Sequence, residues 1–263
     1  MGILNTTADS FSGDGVWAPG KSPQTAICRG IALAQQGADI IDVGGESTRP
    51  GSRRITPQEE IQRIVPVIQG LVKKIRIPIS VDTYKPDVAI AALEAGASIV
   101  NVIKGTPVSD RIIKVVMRYR AAIVLMHMRG TPRTMQSQVH YKDVLGEIYS
   151  ELEKSVEKCV GIGIKRESLI VDPGIGFAKT VEQNLLIIKN LSKFRKVNLP
   201  VLIGPSRKSF IGKVLDVPVQ ERLVATASAV ALSVLGGAHI VRVHDVLDMK
   251  QAAGLADAVL NTN

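Results

Sequence analysis

At 263 residues, 45% hydrophobic but only 3% aromatic, the chain can build a sizeable core from Ile, Val, Leu and Ala, the composition of parallel strands covered by helices. Its formal charge of +9 is spread along the chain without a basic block or an aromatic platform, which excludes a nucleic-acid partner and fits a small anionic substrate with solvated helix faces. The apolar runs are far shorter than the ~20 residues a bilayer requires, and Met1 to Asn5 lacks the charged and apolar regions of a secretory signal, so a cytoplasmic chain without membrane contact is expected. Cys28 and Cys159 carry no metal spacing and sit in helical patterns, where buried, reduced thiols are expected.

Along the chain, short β-branched runs alternate with longer amphipathic segments. A strand ending near Asn5 precedes a helix from Ser22 to Gln36, and one ending near Val43 precedes a helix from Pro57 to Lys73. Strands ending near Val81, Val102 and Met126 are followed by helices from Pro86 to Ala95, Arg111 to Tyr119 and Val144 to Ile162. The last three strands end near Val171, Gly204 and Val243, with helices from Val181 to Lys193, Glu221 to Leu235 and Asp245 to Leu260. Gly37, Gly96, Gly163 and Gly237 end helices just before the next strand, where glycine supplies a left-handed cap. Eight such units without a linker predict one α/β domain over residues 1–263, a closed (β/α)8 TIM barrel.

The strands finish in polar residues: Asn5, Asp42, Asp82, Asn101, His127, Asp172, the stretch Ser206 to Ser209, and Arg242-Val243-His244-Asp245. An unpaired buried charge costs several kcal/mol, roughly, so these groups are expected to converge on a site at the C-terminal ends of the strands. Arg242 and His244 alternate and so share one side of their strand. Bland roles exist for some of them: Asp82 or His244 as a cap on the following helix, and His127 as a satisfied core histidine as readily as a barrel-mouth residue. His140 and His239 read as structural, and Ser206 with Arg207 and Lys208 reads as an anion-binding turn.

Asn5 to Ser12, Asp42 to Gly51, Ser80 to Thr83, Met126 to Pro132, Asp172 to Phe177, Ser206 to Ser209 and Arg242 to Asp245 together resemble the dihydropteroate synthases, in that family's order. The resemblance implies condensation of 6-hydroxymethyl-7,8-dihydropterin pyrophosphate with 4-aminobenzoate by dissociative loss of pyrophosphate, without a side-chain nucleophile. It implies that Asp172 faces the amino-pyrimidine edge, with Asp82, Asn101, Met126 and Lys208 as further pterin contacts. Asn5, Arg242 and His244 would hold pyrophosphate, Asn5 also meeting Mg2+. Thr48, Arg49, Pro50, Phe177, Lys208 and Ser209 would form the aminobenzoate pocket, with Asp9 and Phe11 on a closing loop. Asp82, Asp172, Lys208, Arg242 and His244 are the implied catalytic set. Sulfonamides would compete with aminobenzoate, and a homodimer is implied, with Ala225, Ala229 and Ala253 as candidate interface positions or equally as barrel-facing ones.

Ala8, the order Gly13-Asp14-Gly15, Val102 and Ala178 depart from the family's usual pattern. Two other readings compete. Methyltetrahydrofolate:corrinoid methyltransferases share a pterin-binding barrel but need no pyrophosphate site, and a non-catalytic pterin-binding homologue would need no site complete for chemistry.

Overall fold

The computed structural model describes residues 1–7, 23–47, 53–131 and 133–262. The predicted contacts Asp9, Phe11, Thr48, Arg49 and Pro50, and the departures at Ala8 and 13–15, lie outside these residues.

The elements alternate as expected: β1 (Gly2–Asn5), α1 (Gln24–Gln35), β2 (Ile41–Gly44), α2 (Pro57–Val72), β3 (Ile79–Asp82), α3 (Pro86–Glu94), β4 (Ile99–Val102), α4 (Asp110–Tyr119) and β5 (Ala122–Met126). They continue with α5 (Val144–Ile162), β6 (Leu169–Asp172), α6 (Val181–Lys189), β7 (Leu202–Ile203), α7 (Ser209–Leu215), α8 (Leu223–Leu235), β8 (Ile240–Val241) and α9 (Val246–Leu260). Local chemistry sets several boundaries. Thr56 caps α2 reciprocally with Glu59, with Pro57 in the first turn, and Thr180 and Gln183 do the same for α6. Gly37, Gly96, Gly163 and Gly237 all have positive φ, as helix-ending glycines should. Two expectations need correction. The helix predicted to Lys193 ends at Lys189 and tightens into a 3-10 segment over Leu191–Val197, and α7 is a short helix that gave no periodic signal.

Strands β1 to β6 form one parallel sheet in sequence order, and β7 pairs with β8. Bridges Val171↔Val201 and Gly2↔Val243 join the two sheets at both edges, which closes the barrel. Because side chains alternate along a strand, each strand serves two layers. Leu4, Val43, Val81, Val100, Leu125, Val171 and Ile203 pack outward into the main core under the helices. Met1, Ile99, Val124 and Leu202 form a separate apolar cluster, the floor of the lumen. Burial of one such side chain contributes about 1.5–3 kcal/mol. The next inward positions, toward the C-terminal ends, are the polar ones. Val102, where the family's pattern has an acid, is buried in the outer core.

Cys159 is buried, but Cys28 is exposed, against expectation. The inward positions of α1 are Ala26, Gly30 and Leu33, and Cys28 falls between them on the outer side.

Candidate active site

A cavity of about 230 Å³ opens at the C-terminal mouth of the barrel. Asn5, Asp82, Asn101, Met126, Asp172, Phe177, Lys208, Ser209, Arg242 and His244 all line it, so every predicted site residue within the described segments is brought to one place. The strand period explains this: Asn5, Asp82, Met126 and Asp172 each end a strand, Asn101 is the last residue but one of β4, and all five follow an outward-facing apolar neighbour.

At the centre, Arg242 Nε donates to Asp42 Oδ2 at 2.6 Å and Nη2 donates to Asp82 Oδ2 at 2.8 Å. Asn101 Nδ2 donates to the same Asp42 oxygen at 3.0 Å. Asp42 is fully buried and was not assigned a site role from sequence, although its place between Ile41 and Val43 marked an acid that must find a partner. The reading of Arg242 as a phosphate contact is thereby modified: two of its donors are committed to carboxylates. The second oxygens of Asp42 and Asp82 have no hydrogen-bond partner. Burial pushes the Asp82 carboxyl up to about 7, against the opposing pull of Arg242. Asp82 does not cap α3, whose N-cap is Lys85.

Asp172 accepts a 2.7 Å hydrogen bond from Gly174 N at Oδ1, and burial pushes its carboxyl up to about 6 in spite of that bond. Since both carboxyls have folded values above the usual 3.8, the fold holds protons that the unfolded chain releases, and these groups weaken stability as pH rises from about 4 to about 7. Lys208 Nζ lies 4.0 Å from the centre of the Phe177 ring, a cation over an aromatic face. Burial, and then the nearby Arg242 charge, lower the Lys208 ammonium to about 8. Gly176, at φ +81°, permits this approach, because a Cβ there would sit 2.8 Å from Lys208 Cδ.

His244 Nδ1 lies 2.9 Å from Ser206 Oγ, and Arg207 pairs with Asp245 through Nε at 2.9 Å and through Nη2. The Ser206–Lys208 turn is therefore braced by residues between β8 and α9, with Arg207 in the αL region. His127 is a fully buried, hydrogen-bonded histidine and does not line the cavity, which resolves the two sequence readings in favour of the core. His239 Nδ1 accepts from Val201 N, a structural role, whereas the His140 ring is exposed. Ala178, where glycine is usual, adopts φ 48° and packs beside Met126 and Met135; backbone strain of roughly 1 kcal/mol is offset by a buried methyl of similar worth.

A (β/α)8 enzyme is defined here, with acids, amides and cations from successive strand ends around one cavity. Residues 1–244 match the family model described as pterin binding enzyme. A dihydropteroate synthase of Synechocystis is 46% identical over 260 residues, spanning 98% of this chain and 89% of that protein. A solved Yersinia pestis dihydropteroate synthase with a sulfonamide drug complex superposes with a TM-score of 0.93 at 35% identity, covering 100% of this chain and 93% of that one. The dihydropteroate synthase of Clostridium difficile, solved in the presence of pteroic acid, gives 0.90 at 40% identity over 99% and 96% of the two chains. The chain belongs to the dihydropteroate synthases among the pterin-binding enzymes.

Proposed function

We propose that the chain condenses 6-hydroxymethyl-7,8-dihydropterin pyrophosphate with 4-aminobenzoate to give 7,8-dihydropteroate and pyrophosphate. The observation that carries this reading is the single cavity in which Asp172 stands with Asp82, Asn101 and Lys208 while Asn5, Arg242 and His244 line the same space. Asp172 accepts paired hydrogen bonds from the pterin's amino-pyrimidine edge, Asn101 and Lys208 hold the ring's other polar atoms, and Met126 packs on its face. The methylene C–O bond breaks with its electron pair leaving on pyrophosphate; Arg242 and His244 meet that growing charge, which favours the transition state over the ground state. The aminobenzoate nitrogen then donates its lone pair to the methylene carbon and sheds a proton to water. Phe177, Lys208 and Ser209, which line the cavity, form its pocket.

Mg2+ is the proposed cofactor, and the donor set fits it. Asn5 offers a neutral oxygen and the orphaned oxygen of Asp82 a second, which suits a hard cation that keeps several waters and takes its remaining ligands from phosphates. When bound it supplies positive charge to the leaving group.

The direct test is formation of dihydropteroate from both substrates with Mg2+. Its absence, with pterin still bound, would return weight to the methyltransferase-like or non-catalytic readings. Affinity for 6-hydroxymethylpterin is expected to be flat above pH 7 and to fall below about 6, because protonation of Asp172 removes one of its acceptors; the slope approaches tenfold per pH unit, roughly. Calorimetry from pH 4.5 to 8 checks this, and an affinity independent of pH removes the ionised Asp172 from recognition.

Sulfonamides are proposed as competitors for the aminobenzoate pocket. A homodimer is proposed through α8 and α9, though not through the alanines named from sequence. Ala229 is buried, and Ala225 and Ala253 pack against the core, whereas Val224 is 78% and Leu255 70% exposed, with Leu232, Leu235 and Val259 also uncovered. So large an apolar face is expected to bury itself against a second copy. Light scattering of Val224→Glu/Leu255→Glu is expected to read a monomer where the wild type reads a dimer; a monomeric wild type overturns the assignment. No helix among the described residues is long and apolar enough to cross a membrane. Two free thiols, one exposed, support the cytoplasmic setting.

A further inference from the structure

The loop that follows β6 carries Asp172 at its start and Phe177 at its tip, and a buried cation lies beneath it. Lys179 is only 5% exposed. Its ammonium lies 3.1 Å from His127 Nδ1 and donates to the carbonyls of Gly174 and Phe177, each at 2.9 Å, so all three of its N–H donors are engaged. Glu151 is ionised and can only accept, so the His127 proton sits on Nε2, which donates to Glu151 Oε2 at 3.0 Å, and Nδ1 is left to accept from Lys179, whose ammonium burial lowers to about 7. Burial holds the imidazole down at about 4, and the His127 hydrogen bond holds Glu151 near 2, so a neutral ring links a cation to an anion. Arg129 continues the chain: it binds Glu151 and Glu147 and lies 4.1 Å from the centre of the Tyr141 ring, whose hydroxyl donates to Ala178 O at 3.0 Å.

We propose that Lys179 is a positioning residue for the aminobenzoate side of the reaction, its ammonium tying the Phe177 backbone to the His127–Glu151 pair. This rests on the synthase reading above. The backbone of Asp172 has independent support, since its carbonyl accepts from His127 N at 2.8 Å in the strand ladder. Phe177 lies beyond that ladder; near it, Gly176 N donates to Asn184 Oδ1 and Phe177 N closes a turn on Gly174 O, but among the described residues only Lys179 reaches the carbonyls of both Gly174 and Phe177. Loss of the ammonium frees those carbonyls and lets the ring drift from Lys208, while the backbone of Asp172 stays in place and its carboxyl loses only one of the weaker charges that hold it down. Buried, fully satisfied polar groups of this kind fix one arrangement of a wall more than they add stability.

The test is a steady-state comparison of wild type and Lys179→Met with both substrates and Mg2+, folding being monitored by circular dichroism. The expected result is a KM for 4-aminobenzoate raised about tenfold or more, with kcat and the KM for the pterin pyrophosphate within about threefold. Equal changes in both KM values, or none, overturn the proposal. Should Lys179→Met fail to fold, Glu151→Gln weakens the chain at its half-exposed end and is expected to raise the aminobenzoate KM alone by about threefold; an unchanged ratio of the two KM values overturns it equally. A wild type that forms no dihydropteroate sinks the synthase reading first, which separates the two failures.

Discussion

Arg242→Ala is expected to lower turnover by roughly 100-fold or more, about 2.7 kcal/mol at the transition state, because a cation is removed from charge that grows as the C–O bond breaks. The contacts in the barrel add a second consequence. Arg242 separates and neutralises Asp42 and Asp82, and breaking a buried pair by removing one partner costs about 3–5 kcal/mol when the remaining charge stays uncompensated. Asp82, already pushed up to about 7, is expected to answer by keeping its proton, so the variant should be least stable at high pH and recover as pH falls. Arg242→Lys retains a charge but cannot bridge both acids, and should lie between. Turnover, denaturation at two pH values and affinity for 6-hydroxymethylpterin, measured together, separate these effects. Turnover should fall far more than affinity. If affinity collapses while turnover survives, Arg242 belongs to the ring pocket; if neither moves, the cluster is structural.

The barrel was legible because two periodicities reinforce each other. Runs such as Ile99-Val100-Asn101-Val102 carry outward apolar residues at every second position, and the inward partner turns from the apolar Ile99 to the polar Asn101 toward the C-terminal end. That change from apolar to polar along the lumen is the site, which is why ten predicted contacts fall on one cavity. What sequence could not supply was pairing. Nothing local says that Asp42 will meet an arginine 200 residues away, or that Lys179 will meet His127 across 52 residues; such partners are set by closure of the barrel. Short elements were equally hidden. Seven residues of α7 give under two turns, too few to establish a period. The alanines of α8 and α9 were open in the sequence between an interface and the barrel, and they pack against the protein's own core.

Asp172→Asn is expected to weaken pterin binding by about 2–4 kcal/mol, roughly 30- to 1,000-fold in Kd. The size of the effect follows from a choice that the local geometry forces. In the wild type one carboxylate oxygen accepts from Gly174 N at 2.7 Å, and the group as a whole remains acceptor-only. An asparagine has one oxygen, and Gly174 N–H claims it; turning the amide the other way would leave that backbone donor unpaired. The amide NH2 then faces the cavity, opposite a pterin edge that itself presents donors, and a mispaired buried donor costs far more than a bond merely lost. The pH dependence should vanish with the carboxyl, leaving an affinity that is weak and flat from pH 4.5 to 8, equal to that of a wild type titrated well below 6. Calorimetry on the two proteins across that range tests both statements. Unchanged affinity, or a variant whose binding still falls below pH 6, would place the recognising acid elsewhere in the cavity, at Asp82 beside Asn101 or at Glu46, which also lines it.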